Sequence, residues 1–273
     1  MTMSAGYDPE RWRDFEHEGW ETAAEGYHDW IGSATIQAVG PMLDAVRAGA
    51  GTRLLDVATG PGYVAAAAAE RGASVVGADF SAAVVAAASR RYPGVEFREA
   101  GAEALPFPDA SFDAVTINFG MHHFPHPERA LAEAHRVLQP GGHIAFTAWG
   151  TADSIRIVPR MVQQLGDAAI SLPTQPPDLF GDPARCEHTL RAAGFLSPTI
   201  VTLQMVQRIE DPEAYFEIVL KGAGPRQGTP LRAQSPETIA AIRAAVVREL
   251  RTYEQDGVIH LPMPAILFSA QKP

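Results

Sequence analysis

The chain has 273 residues, 46% hydrophobic and 20% charged, which suits one large domain or one domain with a lid. Its formal charge of -10 at pH 7 offers nothing to attract a phosphate backbone and argues against a nucleic-acid partner. Cys186 is the one cysteine, so an intrachain disulfide and a cysteine-rich metal site are excluded and a reducing cytoplasm is the expected location.

Residues 1–10 lack the basic-then-apolar order of a signal peptide, and no apolar run is long enough to suggest a membrane span. Up to about residue 48 the pattern is helical. Trp20, Ala23, Ala24, Tyr27 and Ile31 recur at three- and four-residue steps, and Ile36, Val39, Met42, Leu43 and Val46 give a second helix before Gly49 and Gly51. Residues 52–149 then alternate. Strands are expected at 53–57, 74–79, 95–99, 112–118 and 143–149, and helices at 62–72, 81–92 and 127–138. Gln139, Pro140, Gly141 and Gly142 read as a turn. Short apolar strands alternating with helices imply a mostly parallel sheet covered on both faces, with right-handed crossovers.

After residue 151 the pattern loosens. Prolines make 172–183 a loop, a helix over 183–194 stops at Gly194, and 197–209 alternates as a strand. Helices are expected at 212–221 and 236–253, with a Gly/Pro-rich break at 222–230 between them. A strand at 258–270, interrupted by Pro262 and Pro264, ends the chain. The expected organisation is therefore an N-terminal helical flap (1–48), a nucleotide-binding core (52–150), and a remainder (151–273) with a helical lid at about 211–255.

The chemistry starts at Leu54-Leu55-Asp56-Val57-Ala58-Thr59-Gly60-Pro61-Gly62. An apolar strand ends in an acid, a Gly-x-Gly turn follows, and an alanine-rich helix begins. The glycines let backbone approach a ligand at a helix N-terminus, and with Asp79 downstream they also fit the dinucleotide pattern. Asp56 separates the two readings. A carboxylate under the turn repels a pyrophosphate and suits a ligand carrying an ammonium and a sulfonium.

Four motifs in order then resemble the class I S-adenosylmethionine (SAM)-dependent methyltransferases, within them the small-molecule type related to quinone biosynthesis. They are the segment above, Val76-Gly77-Ala78-Asp79-Phe80-Ser81, the run from Ala102-Glu103 through Phe112-Asp113, and Glu133-Ala134-His135-Arg136-Val137-Leu138 before Gly141-Gly142. The resemblance implies an α/β, Rossmann-like doubly wound fold with a mostly parallel seven-stranded sheet, N-terminal helices and a helical lid before the last strand. It also implies SAM as cofactor and S-adenosylhomocysteine (SAH) as product. By the same resemblance, Asp56 with Ala58, Thr59, Gly60 and Gly62 holds the methionine part. Asp79 takes the ribose hydroxyls, with Phe80 against the adenine and Ser81 beside it. Gly101, Ala102 and Glu103 meet the adenine edge, Asn118 and Phe119 line the floor, and Trp20 or Tyr27 closes over the methionine end. Two positions depart from the family. Ala58 stands where a glycine is usual, which is tolerable if its φ is negative. Gly101 stands where relatives usually carry an aspartate, which removes a contact to the adenine amino group.

Each assignment has a structural alternative. Asp79 could serve as a helix cap, although Ser81 is better placed for that. Glu103 could be a solvated acid, and Trp20 and Tyr27 could be core. His122 and His123 follow the strand ending at Asn118, on the ligand-binding edge of such sheets. A neutral imidazole there can take a proton from a phenol or enol, and the resemblance points to His123 first. The alternative is that one histidine caps the loop. No His/Asp/Glu spacing matches a metal site, so no metal is expected.

The expected acceptor is a small, largely apolar phenol-, quinone- or natural-product-like molecule, methylated on oxygen or carbon. Phe124, Trp149, Met205, Tyr215 and Phe216 are candidates for its pocket. Non-methylating chemistry on a SAM scaffold, such as cyclisation or decarboxylation, and a non-catalytic SAM-binding module are the alternatives. The assembly is left open, with a homodimer as one option.

Overall fold

The computed structural model describes residues 6–170, 172–176, 180 and 182–273. Its frame is a seven-stranded sheet in the order β3-β2-β1-β4-β5-β10-β6. The strands are β1 (Arg53–Val57), β2 (Ser74–Asp79), β3 (Glu96–Glu99), β4 (Phe112–Ile117), β5 (Leu138–Trp149), β6 (Leu196–Leu203) and β10 (Ala265–Gln271). Pairing is parallel from β3 through β5, and β10 runs antiparallel to both its neighbours. This is the mostly parallel seven-stranded sheet expected from the sequence.

Strand periodicity explains how it is covered. Leu55, Val115, Ile144 and Phe268 pack on one face with α6 (Pro127–Val137) and α8 (Pro183–Ala192). Their chain neighbours Leu54, Ala114, Ala145 and Leu267 pack on the other with α3 (Val39–Ala45) and α4 (Tyr63–Glu70). Helix α5 (Ala82–Arg91) links β2 to β3. Its N-terminus is capped by Ser81, whose Oγ accepts from Val84 N at 3.1 Å.

The N-terminal segment begins with α1 (Pro9–Ala23), capped by Asp8. The single helix expected to run through Ile31 is instead broken. A turn is followed by a π-helical turn (His28–Gly32), the short α2 (Ser33–Thr35) and a 3-10 turn (Ile36–Ala38). The break, at Gly26, coincides with close packing against the lid, which continues on either side of it. A methyl placed on Gly26 would lie 2.4 Å from Gly222 Cα, one on Gly19 would lie 2.2 Å from Pro225 Cβ, and one on Gly224 would meet the Trp20 ring at 2.7 Å.

The second half adds α7 (Ile157–Leu165) and a small sheet of β7 (Val206–Ile209), β9 (Val258–Pro262) and β8 (Glu254–Gln255). The expected strand over 197–209 is therefore two strands in different sheets, and so is the one over 258–270. The lid comprises α9 (Pro212–Gly222), α10 (Pro225–Arg232) and α11 (Pro236–Leu250). Helix α10 occupies the expected Gly/Pro break. Pro225 sits in its first turn, where no N–H is needed, and Pro230 removes a single bond near its end. Gln139 to Gly142 are not a separate turn but an irregular entry into β5: Phe112 pairs with Leu138, and Ala114 next pairs with His143. Of the expected loop at 172–183, positions 177–179 and 181 lie outside the described residues, as do residues 1–5.

Candidate functional site

The chain runs outward from β1 to β3 on one side and from β4 to β5 on the other, so β1 and β4 flank a topological switch point. Their carboxyl ends open into a cavity of about 1490 Å³. The turn after β1 forms one wall. Thr59 N donates to Ala78 O at 2.9 Å and Gly62 N to Thr59 O at 3.0 Å, which sets Gly60 (φ 53) and Gly62 (φ 85) in the left-handed region. Gly60 and Gly101 both line the cavity, and no atom lies within 4 Å of a methyl placed on either. They leave an open cradle. Gly62 faces inward instead, where a methyl would strike Phe97 at 2.9 Å. Ala58 also adopts a positive φ, 52°, contrary to the expectation on which its tolerance rested. Its Cβ lies where a methyl on Gly120 would come within 2.8 Å, so the missing side chain at 120 makes room for it.

The two acids divide their work. Asp56 is 1% exposed and is not on the cavity wall. Thr59 Oγ1 donates to Asp56 Oδ2 at 2.6 Å and Thr116 Oγ1 to Oδ1 at 2.8 Å. With each oxygen held by a threonine, Asp56 braces the turn from beneath. Asp79 does line the cavity. Its Oδ2 accepts from Gly60 N at 3.0 Å and its Oδ1 from Ser81 N at 3.2 Å. Burial pushes both carboxyls up to about 6, against the pull of these hydrogen bonds.

The remaining expected residues separate in the same way. Phe80, Ala102, Glu103, Asn118 and Phe119 line the cavity, as do Trp20 and Tyr27 from the N-terminal segment. Thr59 also reaches the wall, although its hydroxyl is turned to Asp56. Ser81 is fully buried and off the wall, spent on its cap and on donating to Glu21 Oε1 at 2.7 Å. Glu103 accepts from His126 N at 2.7 Å, satisfying a backbone donor at the start of α6. Asn118 Oδ1 accepts from Thr147 Oγ1 at 2.8 Å, and Phe119 stacks on Trp149 with centroids 4.1 Å apart. Phe124, Trp149 and Tyr215 reach the cavity, whereas Met205 and Phe216 are buried in the lid core.

Both histidines reach the cavity, and His123 has a partner that sequence reading missed. Its Nδ1 lies 2.8 Å from Glu16 Oε2, and Trp20 Nε1 donates to the same oxygen at 3.0 Å. Glu16 is 1% exposed, and its Oε1 is buried without a hydrogen-bond partner. Trp12 Nε1 donates to the backbone oxygen of His123 at 2.9 Å, and the Trp20 ring meets the imidazole edge-on at 5.2 Å. Residues 12, 16 and 20 fall on one helical stripe, so a single face of α1 grips His123. That acid on an apolar stripe was the available signal. Burial and the neighbouring charges of His123 and Arg226 hold the His122 imidazole well below its ordinary value, so it stays neutral. Among the described residues, no three His, Cys, Asp or Glu side chains are grouped to hold a metal ion.

Comparison with known proteins fits this geometry. Residues 55–146 match the methyltransferase domain family. The chain carries a methyltransferase domain. This domain holds the cradle glycines, Asp79, the 101–103 edge, Asn118, Phe119 and both histidines, while Glu16, Trp20, Tyr27 and Trp149 come from outside it. A demethylmenaquinone methyltransferase of Clavibacter sepedonicus is 46% identical over 121 residues, covering 43% of this chain and 46% of its own. One from Thermus thermophilus is 52% identical over 98 residues, covering 34% and 44%. The chain thus spans less than half the length of these relatives. The phosphoethanolamine N-methyltransferase 2 of Haemonchus contortus, solved with S-adenosyl-L-methionine, superposes with a TM-score of 0.59 at 20% identity, over 96% of this chain and 60% of that one. At that identity the likeness concerns the fold of the methyltransferase domain and its surroundings.

Proposed function

We propose that the chain transfers a methyl group from SAM to an oxygen or carbon of a small, largely apolar, quinol- or phenol-like acceptor, releasing SAH. The observation that carries this reading is one cavity that brings two chemically different sets of residues together. The glycine cradle at Gly60, Asp79, Phe80 and the 101–103 edge suit a nucleoside. Trp149, Ile157, Val158, Tyr215 and Met263, from β5 onward in the chain, suit an apolar body. Single-ligand pockets run to roughly 300–1,000 Å³, so the volume leaves room for a second reactant.

The fit to SAM rests on donor chemistry. Asp79 presents a buried carboxylate to the cavity, the acceptor that paired ribose hydroxyls require. Gly60 and Gly101 present no side chain where a flat base and sugar must approach. Asp56 beneath the turn is compatible with a cationic ligand and opposes a pyrophosphate. The names of the relatives, demethylmenaquinone methyltransferases, support a quinol-like acceptor. No helix among the described residues is long and apolar enough to cross a membrane.

When bound, SAM supplies a methyl carbon already activated by its sulfonium. The protein's share is alignment of the acceptor, exclusion of water and custody of one proton. We assign that proton to His123, which lines the cavity close to the strand end that carries Asn118. The test is incubation with methyl-labelled SAM and an isoprenoid naphthoquinol, alongside simple phenols. Label in the organic extract is the expected result. Failure to bind SAH by calorimetry would overturn the cofactor, and binding without transfer to any of these acceptors would overturn the acceptor class.

A further inference from the structure

The Glu16 carboxylate is almost fully buried, yet its hydrogen bonding is lopsided. Both donors within reach, Trp20 Nε1 and His123 Nδ1, fall on Oε2, and Oε1 has none. A carboxylate in this position costs free energy unless the groups around it supply charge or protons. Its neighbours along the helix meet the same residue: Trp12 donates to the His123 backbone and Trp20 packs on the ring.

We propose that Glu16 is the positioning residue of a His123–Glu16 dyad, by which α1 completes a base for an acceptor bearing an O–H group. The inference rests on the methyl-transfer reading above. A buried carboxylate accepts and cannot donate, so the nitrogen facing it carries the ring proton. Nδ1 is thereby fixed as the protonated nitrogen, and whenever the ring carries a single proton Nε2 has its lone pair free. In the step itself, the acceptor O–H proton passes to Nε2. The acceptor oxygen, or the ring carbon made nucleophilic by that deprotonation, bonds to the methyl carbon; on the carbon path the ring C–H hydrogen then leaves as a proton to solvent while the oxygen regains one from the imidazolium, restoring the aromatic ring. The carbon–sulfur bond breaks with its electron pair on sulfur, and the resulting imidazolium faces the Glu16 carboxylate. His122, neutral and beside His123 and Arg226, is left out of this exchange.

Two measurements test the dyad. Long-range ¹H–¹⁵N spectra of the histidine rings in the SAH-bound protein should show neutral His123 protonated at Nδ1, and Glu16→Leu should abolish that preference. Steady-state kinetics with the isoprenoid naphthoquinol should show kcat falling about 10- to 100-fold in Glu16→Gln, with the KM for SAM within about twofold and partial recovery in Glu16→Asp. A wild-type ring protonated at Nε2, or a Glu16→Gln enzyme with unchanged kcat, overturns the proposal. The wild-type tautomer decides even if the leucine variant does not fold. If the wild type does not methylate the quinol, the acceptor reading fails while the spectra still judge the dyad.

Discussion

Gly60 donates its backbone N–H to the Asp79 carboxylate at 3.0 Å, tying the turn after β1 to the end of β2. The bond aims one carboxylate oxygen and adds to the hydrogen bonds of Thr59 and Gly62 that hold the cradle. Replacing Asp79 with asparagine keeps the shape but removes the charge and one acceptor. SAH binding should weaken by about 10- to 100-fold, or roughly 1.4–2.8 kcal/mol. Titration calorimetry measures it, and a change of less than twofold would remove Asp79 from the ribose site.

Cofactor binding should also depend on pH, and the sign follows from burial. The Asp79 carboxyl is pushed up to about 6, above its ordinary value, so below that pH the free site is protonated. Ribose hydroxyls donate to the ionised form and favour it. Binding therefore releases protons near pH 6 and tightens as pH rises. One unit below its midpoint about one carboxyl in ten is ionised, so SAH affinity at pH 5 should be about tenfold weaker than at pH 7.5. An affinity flat across this range would contradict the assignment.

Ala58 sits at φ 52°, where an L side chain costs about 1–2 kcal/mol. Glycine removes that strain at an entropic cost of about 0.5–1 kcal/mol. Ala58→Gly should therefore stabilise the protein by up to about 1.5 kcal/mol, seen as a higher urea midpoint with an unchanged slope. A lower midpoint would mean that packing of the Ala58 methyl outweighs the backbone strain.

The parts of the site that could be read from the residues are local. Asp79 ends a strand, Gly60 follows another, and the strand–turn–helix pattern announces both within a few positions. Asp56 was also conspicuous, but its role was not, because Thr116 lies 60 residues further along and arrives only through the β1–β4 pairing. Glu16 was missed for the same reason: its partner His123 is 107 residues away. The split of 197–209 between two sheets depends on which strands β6 and β7 meet, and alternation alone carries no such information. Helix α10 was hidden because its prolines look like breakers unless the start of the helix is already known.

The contacts of Gly19 with Pro225, Trp20 with Gly224, and Gly26 with Gly222 stitch the N-terminal segment to α9 and α10. Trp20 and Tyr27 line the cavity from the N-terminal segment, and Tyr215 of α9 and Arg226 of α10 line it from the lid. A methyl group at Gly19, Gly26 or Gly222 would push these two parts of the chain apart. The wall of the cavity thus depends on three glycines that never reach it.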